Sequence, residues 1–445
     1  MKRIAEEYLK QWFHKKSRMP LIIRGARQVG KSTLVRIFCA NNNLDLIEIN
    51  LEKEKIRSLQ GPRLNLQSVL DEIQLKSQKK ITDKTLIFFD EIQEQPILLK
   101  FLRYFYEEKS DVAVIAAGSL LEVTLKSENF SFPVGRVEFY NLGPMTFKEF
   151  LWATNQELLL EKIENLDFSP AVEELAKESL RSFLYVGGMP KSVDTFVKEK
   201  SFVSVRAIQD QIIQTYMADF PKYNSKINVE RINRVFSSSV IHLGKKLIYQ
   251  RIDQDSQTRD IKRIVELLFD ARVLLPCMHS NANVVPLAGE SDPSILKIYF
   301  IDVGLMNSLL KLDLEVIDQE LKTKFNTKGV MAEQFVAQHL WNMDGHANRP
   351  ELFYWLRDKG SQKGEIDFVI QKGHKIIPVE VKSQAPGHMK SAFYFAKEKE
   401  CHELVRVSLN SFEKKVIEHK IDTQNVKINM IELPLYAIEM LMIVI

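Results

Sequence analysis

Residues 25–32 have the types and the spacing of a loop that binds phosphate. They fit the pattern G-x-x-x-x-G-K-[ST], between an apolar run at 21–23 and a helical pattern at 33–38. The glycines let main-chain N–H groups close around phosphates, and the following helix N-terminus adds positive potential. Lys31 would reach the outer phosphates, and Ser32 would ligate Mg²⁺. We therefore expect ATP and Mg²⁺ to bind here, and the expected nucleotide-binding residues are Gly25, Ala26, Arg27, Gln28, Val29, Gly30, Lys31, Ser32 and Thr33.

Two acidic residues follow a second apolar run. Residues 86–89 are apolar and lead directly into Asp90 and Glu91. At the carboxyl end of a strand, Asp90 could hold the Mg²⁺ shell, while Glu91 could orient or deprotonate the attacking water. The alternative is a pair of solvated acids after a strand, and the phosphate loop upstream makes it the less favoured interpretation.

Two further groups could complete the chemistry of phosphate transfer. Ser119 ends the next apolar run, where its hydroxyl could sense the γ-phosphate or the attacking water. Arg136 follows Gly135 in a turn and could offer its guanidinium to transition-state charge, from this subunit or from a neighbour. A surface arginine is the equally weighted alternative for Arg136.

A second constellation of acids and a lysine lies near the C-terminus. Residues 365–370 and 376–382 predict a hairpin that turns at Lys372-Gly373-His374. Because side chains alternate along a strand, Glu380 and Lys382 would share one face. Asp367 would come from the neighbouring strand, and Glu333 from the helix after Gly329.

This second constellation resembles the core of the restriction-endonuclease-like, or PD-(D/E)XK, nucleases. The resemblance implies that Asp367 and Glu380 hold Mg²⁺ and activate a water, that Lys382 positions the water, and that Glu333 extends the metal shell. The alternative is a partly buried ion-pair cluster in a fold that binds DNA or protein without cleavage. The sequence leaves both alternatives open.

The predicted secondary structure around these groups changes along the chain from alternating strands and helices to helices alone. Short apolar runs alternate with helical stretches over 21–150, which is typical of a parallel sheet with crossover helices, and the expected strands are 21–23, 45–49, 86–89 and 112–116. Helical periodicity continues over 158–223 and is broken by Gly187-Gly188-Met189-Pro190, most simply a tight turn between two helices.

A basic helix is predicted in the middle of the chain. Helices near 229–243 and 258–269, followed by short strands near 273–278 and 298–301, give the order of a winged helix. Residues 245–263 contain six Lys or Arg against three Asp. A winged helix places such a helix in the major groove of DNA, so the candidate DNA contacts are Arg259, Lys262 and Arg263. The alternative is a solvated face in a domain that docks proteins.

Several of these motifs together carry a family resemblance. They are residues 25–34, Asp90-Glu91-Ile92-Gln93, Gly118-Ser119, Gly135-Arg136 with Leu142, Pro144, Phe147 and Glu149, and Gly187-Gly188-Met189-Pro190. They resemble the prokaryotic AAA-type ATPases that carry a C-terminal domain of unknown function related to restriction endonucleases. The resemblance covers nearly the whole chain. It implies an α/β fold with an AAA-like P-loop core at 1–157, a helical lid at 158–227, a winged helix at 228–312 and a restriction-endonuclease-like domain at 313–445.

The composition of the chain limits the classes of protein to which it can belong. The chain has 445 residues, 45% of them hydrophobic and 27% charged, with a net charge of +4, which favours a folded protein with several domains. Cys39, Cys277 and Cys401 have no metal-type spacing and favour a reducing compartment. The apolar stretch 435–445 contains Glu439 and is shorter than the roughly 20 residues of a membrane span. We therefore expect a cytoplasmic protein without a membrane segment, in which 435–445 is a buried strand or helix.

The leading hypothesis is an ATP-driven switch or motor that engages DNA, with cleavage coupled to the nucleotide state. The alternative is an ATP-regulated switch that binds DNA or protein without nuclease chemistry. A third possibility is an ATPase that acts on protein partners. A homo-oligomer remains open, as does the subunit in which Arg136 would act.

Overall fold

A five-stranded parallel sheet forms the first part of the protein. The computed structural model describes residues 1–60, 65–119, 121, 135–223, 227–322, 329–343, 350–358, 363–381, 389–421 and 423–445. The strand order is β2-β3-β4-β1-β5, and every neighbouring pair is parallel. The strands are β1 (Leu21–Arg24), β2 (Asp45–Asn50), β3 (Thr85–Asp90), β4 (Ala113–Gly118) and β5 (Glu138–Asn141). The first four confirm the predicted strands, whereas β5 was not predicted.

Helices cover both faces of this sheet. Every residue of β3 and β4 is buried, as expected for the central strands of a parallel sheet. The helices are α1 (Ala5–Phe13), α2 (Lys31–Asn41), α3 (Leu66–Ser77) and α4 (Ile97–Glu108), with short 3₁₀ turns at Arg57–Gln60 and Ile92–Glu94. Helix α2, which follows the phosphate loop, extends beyond both ends of the helical pattern at 33–38.

A helical segment follows the first sheet. Its helices are α5 (Phe147–Ala153), α6 (Glu157–Glu164), α7 (Pro170–Val186), α8 (Pro190–Glu199) and α9 (Phe202–Tyr223). The break between α7 and α8 is the expected turn, and it is also a place of close approach. A Cβ atom at Gly187 would lie 2.2 Å from Asp302 Oδ1, and one at Gly188 would lie 2.0 Å from the Met145 carbonyl oxygen. Only glycines therefore fit between these two neighbours.

The middle segment has the predicted order of helices and hairpin. It contains α10 (Val229–Ser239), α11 (Tyr249–Ile252), α12 (Thr258–Asp270), β6 (Leu274–Ser280) and β7 (Ser291–Phe300), with 3₁₀ turns at Val240–His242 and Leu287–Glu290. An isolated antiparallel bridge joins Lys246 to Lys297. The side chains of α12 that face the core are apolar and fully buried, namely Ile261, Ile264, Val265 and Leu268.

The C-terminal segment contains three helices followed by strands on both sides of a further helix. Its elements are α13 (Val303–Leu309), α14 (Leu314–Lys322), α15 (Val330–Met343), β8 (Leu352–Arg357), β9 (Gly364–Lys372), β10 (Lys375–Val381), α16 (Lys390–Lys399), β11 (Glu403–Ser408), β12 (Glu413–Ile421), β13 (Gln424–Pro434), a 3₁₀ turn at Leu435–Met440 and α17 (Leu441–Val444). The predicted hairpin is present as β9 and β10, which are antiparallel. Three strands, β11, β12 and β13, follow α16.

One eight-stranded sheet joins the middle and C-terminal segments. Its order is β12-β13-β11-β10-β9-β8-β6-β7. Strand β6 pairs in parallel with β8 at Cys277 to Leu352, Met278 to Phe353 and His279 to Tyr354. The hairpin expected to be the wing of a separate domain therefore extends the C-terminal sheet across the boundary expected at residue 312. This pairing satisfies main-chain groups that an open sheet edge would leave exposed.

The last residues of the chain are helical, which is one of the two expected forms, and one face of the segment is buried while Met442 and Ile443 are exposed. Leu435, Ile438 and Leu441 are almost fully buried. Glu439 accepts a hydrogen bond from the main-chain N–H of Lys148 at 2.7 Å, which ties the C-terminus to α5. None of the described helices combines the length and the apolar character that a membrane crossing requires.

Candidate functional site

The phosphate loop lies between β1 and α2, and its glycines are required by geometry. Gly30 has a φ of 94°, a conformation that favours glycine, and it is the N-cap residue directly before α2. A Cβ atom at Gly25 would lie 2.2 Å from the carbonyl oxygen of Leu142, the residue after β5. The loop can therefore pack against the end of β5 only with a glycine at position 25.

Lys31 is buried inside the loop. Its Nζ donates hydrogen bonds to the carbonyl oxygens of Gly25 and Ala26, at 2.9 Å each. Burial lowers the pKa of Lys31 to about 8, although attraction to Glu91 and Asp90 opposes that effect. A buried ammonium held by neutral carbonyl groups would gain from a phosphate oxygen, so the loop fits a nucleotide.

Ser32 and Asp90 form a pair of oxygen ligands beside this lysine. The Ser32 hydroxyl donates to Asp90 Oδ2 at 2.8 Å. Burial raises the pKa of Asp90, and the hydrogen bond from Ser32 opposes the increase. Hydroxyl and carboxylate oxygens are ligands that Mg²⁺ prefers, so the two residues fit the ion expected from the sequence.

Glu91 follows Asp90 in a left-handed conformation, with a φ of 52°. Its Oε2 accepts hydrogen bonds from Gln93 Nε2 at 2.6 Å and from Ser119 Oγ at 3.4 Å. Gly118 makes room for this arrangement, since a Cβ atom there would lie 2.4 Å from Gln93 Oε1. The structure thus brings Glu91 and Ser119 together, and it adds Gln93, which was not among the expected site residues.

The other expected loop residues take supporting positions. Arg27 forms an ion pair with Asp219 at 2.8 Å, and its carbonyl oxygen accepts from the Tyr216 hydroxyl at 2.8 Å. Gln28 has a φ of 65°, and Thr33 is exposed on α2. Both Ala26 and Val29 are buried.

Arg136 and the phosphate loop lie at opposite ends of the strands of the first sheet. Arg136 precedes the amino end of β5, whereas the loop follows the carboxyl end of β1, and these strands are parallel. Its guanidinium pairs with Glu107 of α4 at 3.0 Å. A role for Arg136 at the loop of its own chain is therefore ruled out by topology, while a role at a neighbouring subunit stays a prediction.

Two arginines that sequence reasoning missed support the loop. Arg3 Nη1 donates to the Val29 carbonyl oxygen at 3.1 Å, and Arg3 Nε pairs with Glu149 at 2.9 Å. Arg272 Nη1 donates to Asn141 Oδ1 at 2.6 Å, at the end of β5. No local motif marks either arginine, because each reaches the loop from a remote part of the chain.

The candidate DNA contacts lie on the surface of α12. Arg259, Lys262 and Arg263 are exposed. Between them, Asp260 forms an ion pair with Arg231 of α10 at 2.7 Å, which anchors the helix without covering the three basic side chains. The structure thus leaves these three side chains accessible, while their contact with DNA stays a prediction.

The C-terminal acids surround a lysine that the sequence analysis did not consider. Lys297, on β7, is almost fully buried and forms an ion pair with Glu365. Glu333 Oε2 accepts from the Tyr299 hydroxyl at 3.0 Å. Asp367 Oδ2 accepts from the main-chain N–H of Val381 at 2.8 Å.

Electrostatics shows that Lys297 and the acids form one network. Burial lowers the pKa of Lys297, but attraction to Glu333, Asp367 and Glu365 outweighs burial and raises it. The pKa of Glu333 is raised, first by burial and then by repulsion from Asp367, while Lys297 opposes the increase. Lys297 therefore neutralises part of the acidic charge.

The two remaining members of the expected nuclease set are Glu380 and Lys382. Glu380 is fully buried on β10. Lys382 lies outside the residues that the structure describes. Within the described ranges, no group of three or more His, Cys, Asp or Glu side chains is arranged to hold a metal ion.

Comparisons with known families divide the chain into three matched regions. Residues 17–151 match the model of an AAA domain, 177–315 match a domain of unknown function (DUF8612), and 328–436 match another domain of unknown function (DUF4143). Together with the loop geometry, the first match makes this region an AAA-type P-loop ATPase domain. The other two matches name no activity. No curated protein matches the chain.

Solved structures with weak similarity include two proteins of archaea. A Walker-type ATPase of Pyrococcus abyssi is 15% identical, with a TM-score of 0.44, and the match covers 69% of this chain and 95% of the other. The Aeropyrum pernix ORC1 protein in complex with DNA is 14% identical, with a TM-score of 0.28, and the match covers 70% and 91%. Because both TM-scores are below 0.5, neither likeness bears on what this chain binds.

Proposed function

We propose that the protein binds ATP with Mg²⁺, hydrolyses it, and uses the nucleotide state to control how its middle and C-terminal segments engage DNA. The hydrogen bond between Ser32 and Asp90, next to the buried ammonium of Lys31, carries the proposal. These groups supply, before any ligand arrives, the hydroxyl, carboxylate and cation that a Mg²⁺-nucleotide requires.

Each residue of the loop region has a defined part in the reaction. Lys31 exchanges the carbonyl oxygens of Gly25 and Ala26 for phosphate oxygens of the nucleotide. Ser32 and Asp90 hold Mg²⁺, which when bound offsets negative charge on the phosphates. Glu91, held by Gln93 and Ser119, orients the attacking water and accepts its proton.

Phosphate release and isothermal calorimetry test this assignment. Lys31→Ala removes the cation in the loop and should abolish both nucleotide binding and hydrolysis. Glu91→Gln keeps the shape of the side chain but not its basicity, so binding should persist while kcat falls roughly 100- to 10,000-fold.

The matched control is Lys84→Ala, which removes an exposed lysine at the opposite end of β3. It should behave like the wild type. Hydrolysis that survives Lys31→Ala would remove the proposed mechanism.

The exposed basic face of α12 supports contact with DNA. Arg259, Lys262 and Arg263 project from a helix whose opposite face is buried. Phosphate contacts by such side chains provide much of the affinity for DNA and make it salt-dependent. Titration of a labelled duplex at several salt concentrations tests this contact, and absence of all binding at low salt would favour action on protein partners.

The buried C-terminal network favours binding without cleavage over nuclease chemistry. Nuclease action would require Glu333, Asp367 and Glu380 to hold Mg²⁺ and Lys382 to position a water. In the described contacts, Glu333 instead accepts a hydrogen bond from the Tyr299 hydroxyl, and acidic side chains surround Lys297. A lysine ammonium in this network supplies the positive charge that a metal would otherwise bring. Incubation with supercoiled plasmid and Mg²⁺ distinguishes the two possibilities.

A further inference from the structure

Arg3 holds three different elements together at the phosphate loop. Its Nε pairs with Glu149 of α5 at 2.9 Å, its Nη1 donates to the Val29 carbonyl oxygen at 3.1 Å, and its Nη2 donates to the Gly143 carbonyl oxygen at 2.8 Å. Both Arg3 and Glu149 are buried. A buried guanidinium is costly unless its donors are bound, so these three contacts together fix its position.

The acidic partner of Arg3 is itself held in place. Glu149 Oε1 also accepts from the main-chain N–H of Ile4 at 2.7 Å, and its Oε2 accepts from the main-chain N–H of Thr146 at 3.0 Å. Thr146 and Glu149 form a capping box at the start of α5, which satisfies N–H groups that the helix leaves free. Arg3 is thus anchored at the capped first turn of this helix.

The contact with Val29 determines how the peptide between Val29 and Gly30 is oriented. This peptide is trans, so its carbonyl oxygen and its N–H point in opposite directions. Because the Val29 oxygen is turned toward Arg3, the Gly30 N–H points away from it. Among the described contacts, the N–H groups of Gly30, Lys31 and Ser32 have no acceptor within the chain. N–H groups at this place in a phosphate loop are the ones that bind phosphate oxygens.

We propose that Arg3 is a positioning residue, which keeps the peptide between Val29 and Gly30 in the orientation that binds the phosphates of a nucleotide. The inference rests on the proposed ATPase function. All three guanidinium nitrogens of Arg3 have acceptors in the protein, so Arg3 acts through the loop and does not touch the nucleotide. The loop N–H groups hold phosphates that ADP and ATP share, so the effect of Arg3 is the same for both.

Two variants of Arg3 test the proposal, with calorimetry of ADP and of a non-hydrolysable ATP analogue and with phosphate release. Arg3→Gln removes the charge and releases the Val29 carbonyl, so it should weaken both nucleotides about 10-fold or more. KM should rise while kcat at saturating ATP stays close to the wild-type value, because the loop holds the phosphates alike before and during the reaction. Arg3→Lys keeps a cation for Glu149 and should recover part of the affinity.

The matched control is Arg18→Gln. Arg18 is another buried arginine of the first domain, and it donates to the main-chain carbonyl oxygens of Phe13 and Asp111. It lies before β1 and Asp111 lies before β4, whereas the phosphate loop follows β1, so these contacts are at the other end of the strands. Arg18→Gln should lower the melting temperature, as Arg3→Gln does, but leave the affinity for both nucleotides unchanged.

The Arg3 inference and the ATPase proposal fail in different ways. If the wild type hydrolyses ATP and Arg3→Gln keeps the wild-type affinity for ADP, the Arg3 inference is overturned alone. Weakening of the analogue without any weakening of ADP would also overturn it, since Arg3 would then act at the terminal phosphate. If the wild type binds no nucleotide, both proposals fail. Should thermal melts show that Arg3→Gln is unfolded, Arg3→Lys decides, because an ammonium cannot replace the planar fork of a guanidinium, and wild-type affinity in that variant would contradict the inference.

Discussion

The two charged clusters of this protein differ in whether their cation has an acid as its direct partner. Lys31 donates to the neutral carbonyl oxygens of Gly25 and Ala26, so a phosphate would be a better partner. Lys297 forms an ion pair with Glu365. Lys297 is buried while the Glu365 side chain is 41% exposed, and the buried ammonium repels a further cation that would enter this second cluster.

At the level of single residues, the Lys297 network leads to a prediction about cleavage. The purified protein should leave supercoiled plasmid intact in Mg²⁺ or Mn²⁺, because Lys297 already neutralises acidic charge at the cluster. Gel electrophoresis of plasmid incubated with wild type and with Glu380→Ala should give the same result. The control variant is Glu413→Ala, an exposed acid at the start of β12.

The opposite outcome has a clear signature. Metal-dependent nicking that is lost in Glu380→Ala but retained in Glu413→Ala would establish nuclease chemistry. Nicking that survives in both variants would come from a contaminating enzyme.

The local spacing of residues could predict the phosphate loop and its acidic partners. It could not predict the arginines that support the loop from distant parts of the chain. Residues 25–32 and Asp90 with Glu91 are recognisable because each group is continuous in sequence and adjoins an apolar strand. The contact of Arg3 with Glu149 spans 146 positions, and that of Arg272 with Asn141 spans 131. A single sequence contains no pattern that joins residues so far apart.

At the level of elements, α12 leads to a prediction about DNA. Replacing Arg259, Lys262 and Arg263 together by alanine should weaken duplex binding for all sequences. Each lost phosphate contact should reduce the slope of log affinity against log salt by roughly 1. Fluorescence anisotropy at four salt concentrations measures both quantities.

A second triple variant serves as the control for charge. Lys53, Lys80 and Lys84 are also exposed but belong to the first domain. Their replacement by alanine removes the same formal charge and should leave the slope unchanged. An equal decrease in both triple variants would mean that net charge, and not α12, determines DNA affinity.

The strands that could be predicted are those whose own residues favour a buried sheet. Strands β1, β3 and β4 are mostly apolar runs, which the first sheet buries, whereas β2 buries only Ile47 and Ile49. Strand β5 has only four residues and β12 is mostly exposed, with the sequence EKKVIEHKI. These two form because β1 and β13 offer them a partner, and that tertiary contact is absent from a local pattern.

At the level of the whole molecule, α15 joins the ATPase domain to the C-terminal segment. His339 Nε2 accepts from the main-chain N–H of Phe147, in α5, at 2.9 Å. Its Nδ1 lies 2.7 Å from the Phe335 carbonyl oxygen and therefore carries the proton. Burial lowers the pKa of His339 to about 4, so the ring is neutral at pH 7.

This histidine should make stability depend on pH in the acidic range. Below about pH 6.5 the unfolded chain binds a proton that folded His339 does not, so stability falls as pH decreases toward 4, by up to about 3 kcal/mol. His339→Gln keeps an acceptor for Phe147 but cannot titrate. Urea midpoints at pH 7.5, 6 and 5 should therefore decrease less in this variant than in the wild type.

His374→Gln provides the comparison, because His374 is exposed in the turn between β9 and β10. It should retain the wild-type pH dependence. A pH dependence in His339→Gln as steep as that of the wild type would assign the effect to other groups.

The pairing of β6 with β8 determines which parts of the protein can exist apart. A chain cut after Lys322 would leave both fragments with an open strand edge, a template for aggregation. The basic helix α12 directly precedes β6, so no long flexible linker separates this helix from the sheet. A movement of α12 driven by nucleotide turnover would therefore have to displace β6 as well, and β6 belongs to the eight-stranded sheet that ends at β12.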